Sequence, residues 1–331
     1  MAGLHESVRE QPPGIMAAFI AGFNAVAGHL YLILLPLGVD LVLWFAPRLR
    51  IEQLFTPYIQ AMAALLERSG TPAAPTSFND LWQPLLKEIN LLGLLKTFPI
   101  GVPSLLTGFS DAAHPLGTAP NVQITSMGAL FGISIGLLIV GFTLGCLYFA
   151  LLASATTEDN RLNWQLFFTR QMPSALLFCV LFYLILVILS VPGLLILGFV
   201  LWLLPGAGNI AFFVVTMLFF IVLFPLIFTP HGIFTLNLNP IQAALKSMLL
   251  VHPFLPRLPL FIFVALTMGQ GLDLLWRSAP PDSWLTLVGI LGHAFIYSAI
   301  LAASFVYYRG GIQWMQFLVQ RTAAKMTAES K

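Results

Sequence analysis

The stretch Gly38-Val-Asp-Leu-Val-Leu-Trp44 lies at the end of an apolar run, and a near copy returns as Gly271-Leu-Asp-Leu-Leu-Trp276. A shorter version without the aspartate, Gly198-Phe-Val-Leu-Trp202, closes a third run. Each string ends a segment of about 20 residues, which is the length that crosses a bilayer as a helix. The recurrence indicates a membrane protein built from related units.

The composition agrees with that class. Hydrophobic residues make up 58% of the chain, charged residues only 8%, and the mean hydropathy is +0.90, whereas soluble domains carry about 25% charged residues. We predict an all-α, polytopic membrane protein whose partner is the lipid bilayer. A net charge of +2 gives no reason to expect nucleic acid. Six transmembrane helices are predicted at 29–46, 123–151, 172–203, 208–230, 257–276 and 284–308.

Lysine and arginine in the short flanks predict the orientation, because they concentrate on the cytoplasmic side. The opposite short links hold only Arg277, so both termini are predicted to be cytoplasmic. Arg48 and Arg50 are a counter-signal at the start of a long outer segment. The residues counted on the cytoplasmic side are Arg9, Arg161, Arg170, Lys246, Arg257, Arg309, Arg321, Lys325 and Lys331.

The outer segment, residues 48–121, contains two stretches with apolar residues at helical spacing, from Ile51 to Leu66 and from Leu81 to Leu92. Glycine and prolines between 70 and 75 separate them. We predict a small helical extracytoplasmic cap that lies on the membrane surface.

An amphipathic stretch precedes spans one, three and five, and each is predicted to be an interfacial elbow helix. The elbows are expected to break near Gly28, Pro173 and Pro253. The chain then forms one integral membrane domain, 1–331. Its predicted parts are repeat unit 1 at 12–151 with the extracytoplasmic insertion 48–121, repeat unit 2 at 160–230, repeat unit 3 at 238–308 and a cytoplasmic tail at 309–331.

Four polar residues in the spans form the candidate intramembrane site: Asp40, Gln270, Asp273 and His293. One interpretation makes the aspartates structural, with Arg48 and Arg277 as their ion-pair partners near the interface. The other makes the four residues ion or proton ligands. Counting residues from the span ends places His293 several ångströms deeper than Asp273, which weakens the second interpretation.

Two further sets have structural roles in this prediction. Tryptophans at the outer ends of spans are expected to anchor in the headgroup region, and glycines four residues apart in span two form a smooth face for helix packing. The anchors are Trp44, Trp202 and Trp276, and the packing glycines are Gly128, Gly132, Gly136, Gly141 and Gly145.

The sequence lacks the usual signatures of catalysis and metal binding. It contains no phosphate-binding loop, no His-Glu-x-x-His, no Cys-x-x-Cys and no nucleophile elbow. Cys146 and Cys179 lie in apolar runs, as small hydrophobic residues would. We predict a protein that is not an enzyme and needs no metal or cofactor.

Several short elements resemble a family of bacterial six-span membrane proteins, similar to the membrane domain fused to some glycerophosphodiester phosphodiesterases. They are Leu35-Pro36, residues 38–49, Phe98-Pro-Ile-Gly-Val-Pro-Ser104, Val191-Pro-Gly193, Phe224-Pro225, Phe228-Thr-Pro230 and Ala243-Ala-Leu-Lys-Ser247. An acidic residue that often precedes the last element is replaced by Asn239-Pro240. The resemblance implies a bacterial inner membrane location and an architecture of elbows and spans. It implies no hydrolase activity, because the phosphodiesterase domain has no counterpart here.

The functional prediction is a non-enzymatic, multi-pass protein that acts in membrane transport or as a membrane partner subunit. The alternative is a lipid-handling or membrane-organising protein, with a membrane-embedded lipid enzyme as a third class. Whether the chain forms a homo-oligomer or joins a membrane complex is left open.

Overall fold

The computed structural model describes residues 14–68, 74–106, 113–157, 161–254 and 257–329. Helices dominate these residues, and the strands are two short pieces. The helices are α1 (Ile15–Gly28), α2 (Leu34–Phe45), α3 (Glu52–Arg68), α4 (Ala74–Glu88), α5 (Met127–Ala155), α6 (Trp164–Leu203), α7 (Gly208–Leu223), α8 (Thr229–Leu236), α9 (Pro240–Phe254), α10 (Leu258–Trp276) and α11 (Leu285–Glu329), and the strands are β1 (Arg48–Arg50) and β2 (Asn121–Gln123).

The prediction of a helical, multi-pass membrane protein is confirmed. Within the described ranges, five helical stretches are long and apolar enough to cross a membrane, and α7 and α8 together form one of them. A sixth candidate is the bent pair Ile15–Gly28 and Leu30–Phe45, whose two parts meet at 91°. This bend follows Gly28, where the first elbow was expected to break. The division into three repeat units stays a prediction.

Helix α1 packs along α11 instead of only lying in the interface. A Cβ atom on Gly22 would be 2.4 Å from the backbone nitrogen of Ala303 and 2.6 Å from the carbonyl oxygen of Ala299. Small residues therefore let the two helix backbones approach closely, as in other membrane helix pairs. Phe23 adds an edge contact with Phe295 at 5.9 Å between ring centroids.

The second elbow is not a break. The helix Trp164–Leu203 runs on through Pro173, with a π-helical turn at Phe167–Gln171 that ends two residues before the proline. The wider turn changes the hydrogen-bond register where proline lacks an N–H, so the helix continues. The expected break at Pro173 is therefore wrong.

The last helix is longer than the predicted span, which ends at 308, and the assignment of 309–331 to a cytoplasmic tail stays a prediction. Helix α11 starts at Leu285 and reaches Glu329, so the residues assigned to a tail after 308 continue the last helix. Its first half is buried among the other helices, and its last turns are exposed.

The cap contains more than two helices on a surface. Helices α3 and α4 pack on each other, and β1 pairs with β2 in parallel, with Arg48 opposite Asn121. This small sheet, which an all-α fold did not anticipate, joins the two ends of the outer segment. It places the start of α5 next to the end of α2.

Residues 91–106, called the inserted loop below, leave the cap and enter between the spanning helices. A Cβ atom on Gly141 would be 2.5 Å from the Leu95 carbonyl oxygen, and the Tyr183 hydroxyl donates to the Phe98 carbonyl oxygen at 2.6 Å. Gly141 and Tyr183 both lie near the middle of their helices. This segment therefore lies level with the middle of two spans, and the expectation that the whole cap rests on the surface is wrong.

The hairpin of α6 and α7 stands at the edge of the helix assembly. Only 6% of the most apolar stretch of α6 is buried, against 39% for α5 and 44% for α11. Helix α7 packs mainly on α6. The core is formed by α1, α5, α8 and α11, and the hairpin leaves a gap beside α10.

Candidate functional site

Asp40 fastens the inserted loop to α2. The side chain is fully buried and accepts hydrogen bonds from the Ser104 hydroxyl at 2.5 Å and from the backbone N–H groups of Leu105 and Leu106, each at 3.0 Å. The sequence suggested Arg48 as its partner, but the structure surrounds this carboxylate with donors from the loop. Backbone donors replace the water that a carboxylate would lose on burial.

Asp273, His293 and Gln270 meet around a tyrosine. The Nδ1 atom of His293 lies 2.7 Å from Oδ1 of Asp273, and the Tyr297 hydroxyl donates to Oδ2 of Asp273 at 3.2 Å. Gln270 donates to the same hydroxyl at 3.0 Å. The rings of His293 and Tyr297 stack at 4.2 Å. We call Gln270, Asp273, His293 and Tyr297 the polar cluster.

The contact between Asp273 and His293 contradicts their predicted difference in depth. Trp276, the last residue of α10, packs on Gly289 and Gly292 of α11. Helix α11 thus begins beyond the end of α10, and residue 293 returns to the level of residue 273. Counting from the helix ends failed because the two ends are not at the same height.

Lys96 of the inserted loop lies within electrostatic range of both aspartates. Burial lowers the pKa of Lys96, and the negative charges of Asp40 and Asp273 oppose this shift, while Arg277 adds to it. Its ammonium donates to the Ser104 carbonyl oxygen at 3.4 Å. The structure thus splits the four predicted residues into Asp40 and the polar cluster, with Lys96 near both.

Sequence reasoning missed Lys96, Ser104 and Tyr297. Tyr297 could have been found, because it follows His293 by four residues and so shares its helix face. In the sequence, Lys96 is one of several basic residues of the outer segment, and nothing in its neighbours marks it. No local signal marks Ser104, whose role depends on how the loop folds back toward α2.

The packing glycines divide into two groups. Nothing lies within 4 Å of a Cβ placed on Gly128, Gly132 or Gly136, so these three face open space in the single chain. Gly141 and Gly145 contact the backbone of the inserted loop, and a Cβ on Gly145 would be 2.7 Å from the Cα atom of Gly101. Their close contacts are with the inserted loop, including the end of its 3-10 helix at Leu95, and not with another spanning helix.

The three tryptophans also differ from one another. Trp44 is 1% exposed, and its indole N–H donates to the Pro281 carbonyl oxygen at 3.2 Å, so it contacts protein where a headgroup anchor was predicted. Trp276 is half-buried against α11. Trp202 is 77% exposed at the end of α6, a position open to lipid.

Two neighbouring cavities lie along α10. The lateral cavity, of about 830 Å³, lies between α7 and α10, and residues of α9 also line it. Its wall is almost entirely apolar. The inner cavity, of about 530 Å³, reaches the inserted loop and α11. Ile262 and Leu266 line both. Polar groups at the inner cavity come from Lys96, Thr97, His231, Tyr297 and Ser304.

Comparison with known proteins gives no further assignment. No family model, no curated protein and no solved structure matches the chain. The function must therefore be inferred from the geometry of the site.

Proposed function

We propose that the protein is a non-enzymatic membrane transport protein that carries an amphiphilic lipid through the membrane interior. The observation that supports this most is the lateral cavity, an apolar opening that shares two wall residues, Ile262 and Leu266, with a second cavity that has polar groups in its wall. An acyl chain can stay in the apolar opening while the head of the same molecule reaches the polar end. Sites for small ligands have this combination of apolar walls and few polar groups, with volumes of about 300–1,000 Å³.

The inserted loop fits such a role. Irregular backbone at membrane depth is tolerated where it is enclosed by protein or lines a cavity. Here one side of the loop is held by Asp40 and Gly141, while Phe98 and Pro99 line the inner cavity. Helix α7 forms one wall of the lateral cavity, and the α6–α7 hairpin, with little buried surface, is the element best placed to move.

The polar cluster favours a second candidate, transport driven by protons or ions. Ionisable residues inside a membrane commonly form relays or ion sites. Tyr297 connects the cluster to the inner cavity, because its hydroxyl bonds to Asp273 and its ring lines the cavity wall. The Nε2 atom of His293 is buried and has no hydrogen-bond partner among the described residues.

The location and assembly belong to the same proposal. The distribution of lysine and arginine supports a bacterial cytoplasmic membrane protein with both termini inside and the cap outside. The open face of Gly128, Gly132 and Gly136 supports contact with another helix, from a second copy or from a partner subunit.

A reconstitution experiment tests the transport of lipid. Purified protein in liposomes should speed the movement of a fluorescent phospholipid between leaflets, measured by chemical quenching of the outer leaflet. Leu266→Trp, which fills the wall shared by both cavities, should slow this movement. Leu194→Trp, on the lipid-exposed side of α6, is the matched control and should have no effect. Equal rates for empty liposomes and wild-type protein would exclude the proposal. Dependence of the rate on a pH gradient, lost in Asp273→Asn, would favour the second candidate.

A further inference from the structure

Lys96 is the charged residue that lines the inner cavity. No Asp or Glu of the described chain lies in the same wall. The other wall residues are mostly aliphatic or aromatic, so a positive charge faces an apolar chamber. An ammonium in such surroundings is costly unless an anion or several acceptors complete its hydrogen bonds.

The protein itself does little to complete them. Among the described residues, the Lys96 ammonium makes one hydrogen bond, to the Ser104 carbonyl oxygen, and at 3.4 Å that bond is long. A lysine has three N–H donors. No carboxylate of the described ranges lies within ion-pair distance of it.

Both nearby carboxylates are already occupied. The oxygens of Asp40 accept from Ser104, Leu105 and Leu106, and those of Asp273 face His293 and Tyr297. Their negative charges offset the positive charge of Lys96 without a hydrogen bond to it. The donor capacity of Lys96 therefore remains for something that enters the cavity.

The other polar groups in the wall offer few donors. The Thr97 hydroxyl donates to the Ile100 carbonyl oxygen at 2.6 Å, and the Tyr297 hydroxyl donates to Asp273. The Ser304 hydroxyl donates to the Leu301 carbonyl oxygen at 2.7 Å and also lies 2.7 Å from Nε2 of His231. A ligand that fits this wall is an acceptor of hydrogen bonds with a negative charge.

We propose that the inner cavity binds the anionic head of an amphiphile, a carboxylate or a phosphate, with Lys96 as its cation. This inference rests on the proposed function, because the apolar tail must leave through the lateral cavity between α7 and α10. The loop places Lys96 near the level of Gly141, the middle of α5. The protein would thus give an anionic head a partner at the depth where the bilayer offers none.

The test compares two pairs of amphiphiles, one with a single chain and one with two chains, and the members of each pair differ only in the head. Oleic acid and dioleoyl phosphatidic acid are the anionic probes, and oleyl alcohol and dioleoylglycerol are the neutral ones. Binding to detergent-solubilised full-length protein is measured by displacement of a fluorescent fatty acid at pH 7. We expect anionic probes to bind at least about tenfold more tightly than the neutral probes, as for a hydrogen bond to a charged group. The pair with the larger ratio of anionic to neutral affinity identifies the head as carboxylate or phosphate.

Variants connect the preference to the lysine. Lys96→Gln should remove it, Lys96→Arg should keep most of it, and Lys87→Gln, on the exposed face of α4, should not change it. If Lys96→Gln does not fold, the wild-type comparison of heads and the Lys96→Arg variant still decide. Equal binding of neutral and anionic probes to wild-type protein would overturn the anion site and leave the cavity proposal intact. No binding of any probe would overturn both.

Discussion

The contact between the inserted loop and α5 gives a quantitative prediction. Gly141→Ala places a methyl group 2.5 Å from the Leu95 carbonyl oxygen and 2.8 Å from the Leu95 carbonyl carbon and Cα atom. All three are backbone atoms, so no side chain can rotate away. To restore an ordinary contact the loop would have to retreat by roughly 1 Å, and such overpacking costs about 1–3 kcal/mol.

Gly198→Ala in α6 is the matched control. Gly198 also lies inside a spanning helix, and nothing lies within 4 Å of its added methyl group. Alanine is a better helix former than glycine by up to about 1 kcal/mol, so this variant should be as stable as the wild type or slightly more stable. The two substitutions are chemically identical and differ only in what the methyl group meets.

The two cysteines provide the assay. Cys146 and Cys179 are free and buried, so a dye that becomes fluorescent on reaction with thiols reports unfolding as the detergent-solubilised protein is heated. Gly141→Ala should lower the midpoint of this transition by several degrees, and Gly198→Ala should not. If both variants unfold at the wild-type temperature, the loop does not lie against α5 as described.

Three further predictions follow from other contacts. Asp40→Asn should destabilise the protein by about 1.5–3 kcal/mol, because it removes the charge that accepts three hydrogen bonds, whereas the exposed Asp282→Asn should be neutral in the same thermal assay. Trp44→Phe should lower the unfolding midpoint and Trp202→Phe should not, since only the first indole is buried and donates to a protein carbonyl group; similar midpoints would contradict this. Binding of oleic acid should weaken as the pH rises toward the ordinary lysine pKa of 10.5, because the lowered pKa of Lys96 means that this lysine loses its charge at a lower pH. Lys96→Arg should still bind oleic acid at that pH. A wild-type affinity that does not change up to pH 10.5 would contradict the assignment.

The spanning helices could be predicted because their signal is local. A run of apolar residues needs no tertiary information to be identified as a bilayer-crossing helix. The bend after Gly28 was also local, whereas the helix through Pro173 was not, because a π-helical turn compensated for the proline.

The candidate site was only partly predictable. The aspartates and His293 stood out because polar residues in apolar runs are few, but their partners depend on tertiary placement. The partners of Asp40 come from a loop more than 60 residues away in the chain. The contact of Asp273 with His293 depends on how far α11 extends beyond α10, which helix counting does not provide.

The length of α6 has a mechanical consequence. Its α-helical part, Met172–Leu203, has 32 residues and is about 48 Å long, while the hydrocarbon layer is about 30 Å thick. A helix with this hydrophobic mismatch tilts, and its tilt follows the thickness of the bilayer. Because α7 is packed on α6 and forms one edge of the lateral cavity, a thinner membrane would tip both helices together and change the width of the opening. The acyl chain length of the surrounding lipids would then control access to the cavity, although these lipids do not themselves enter it.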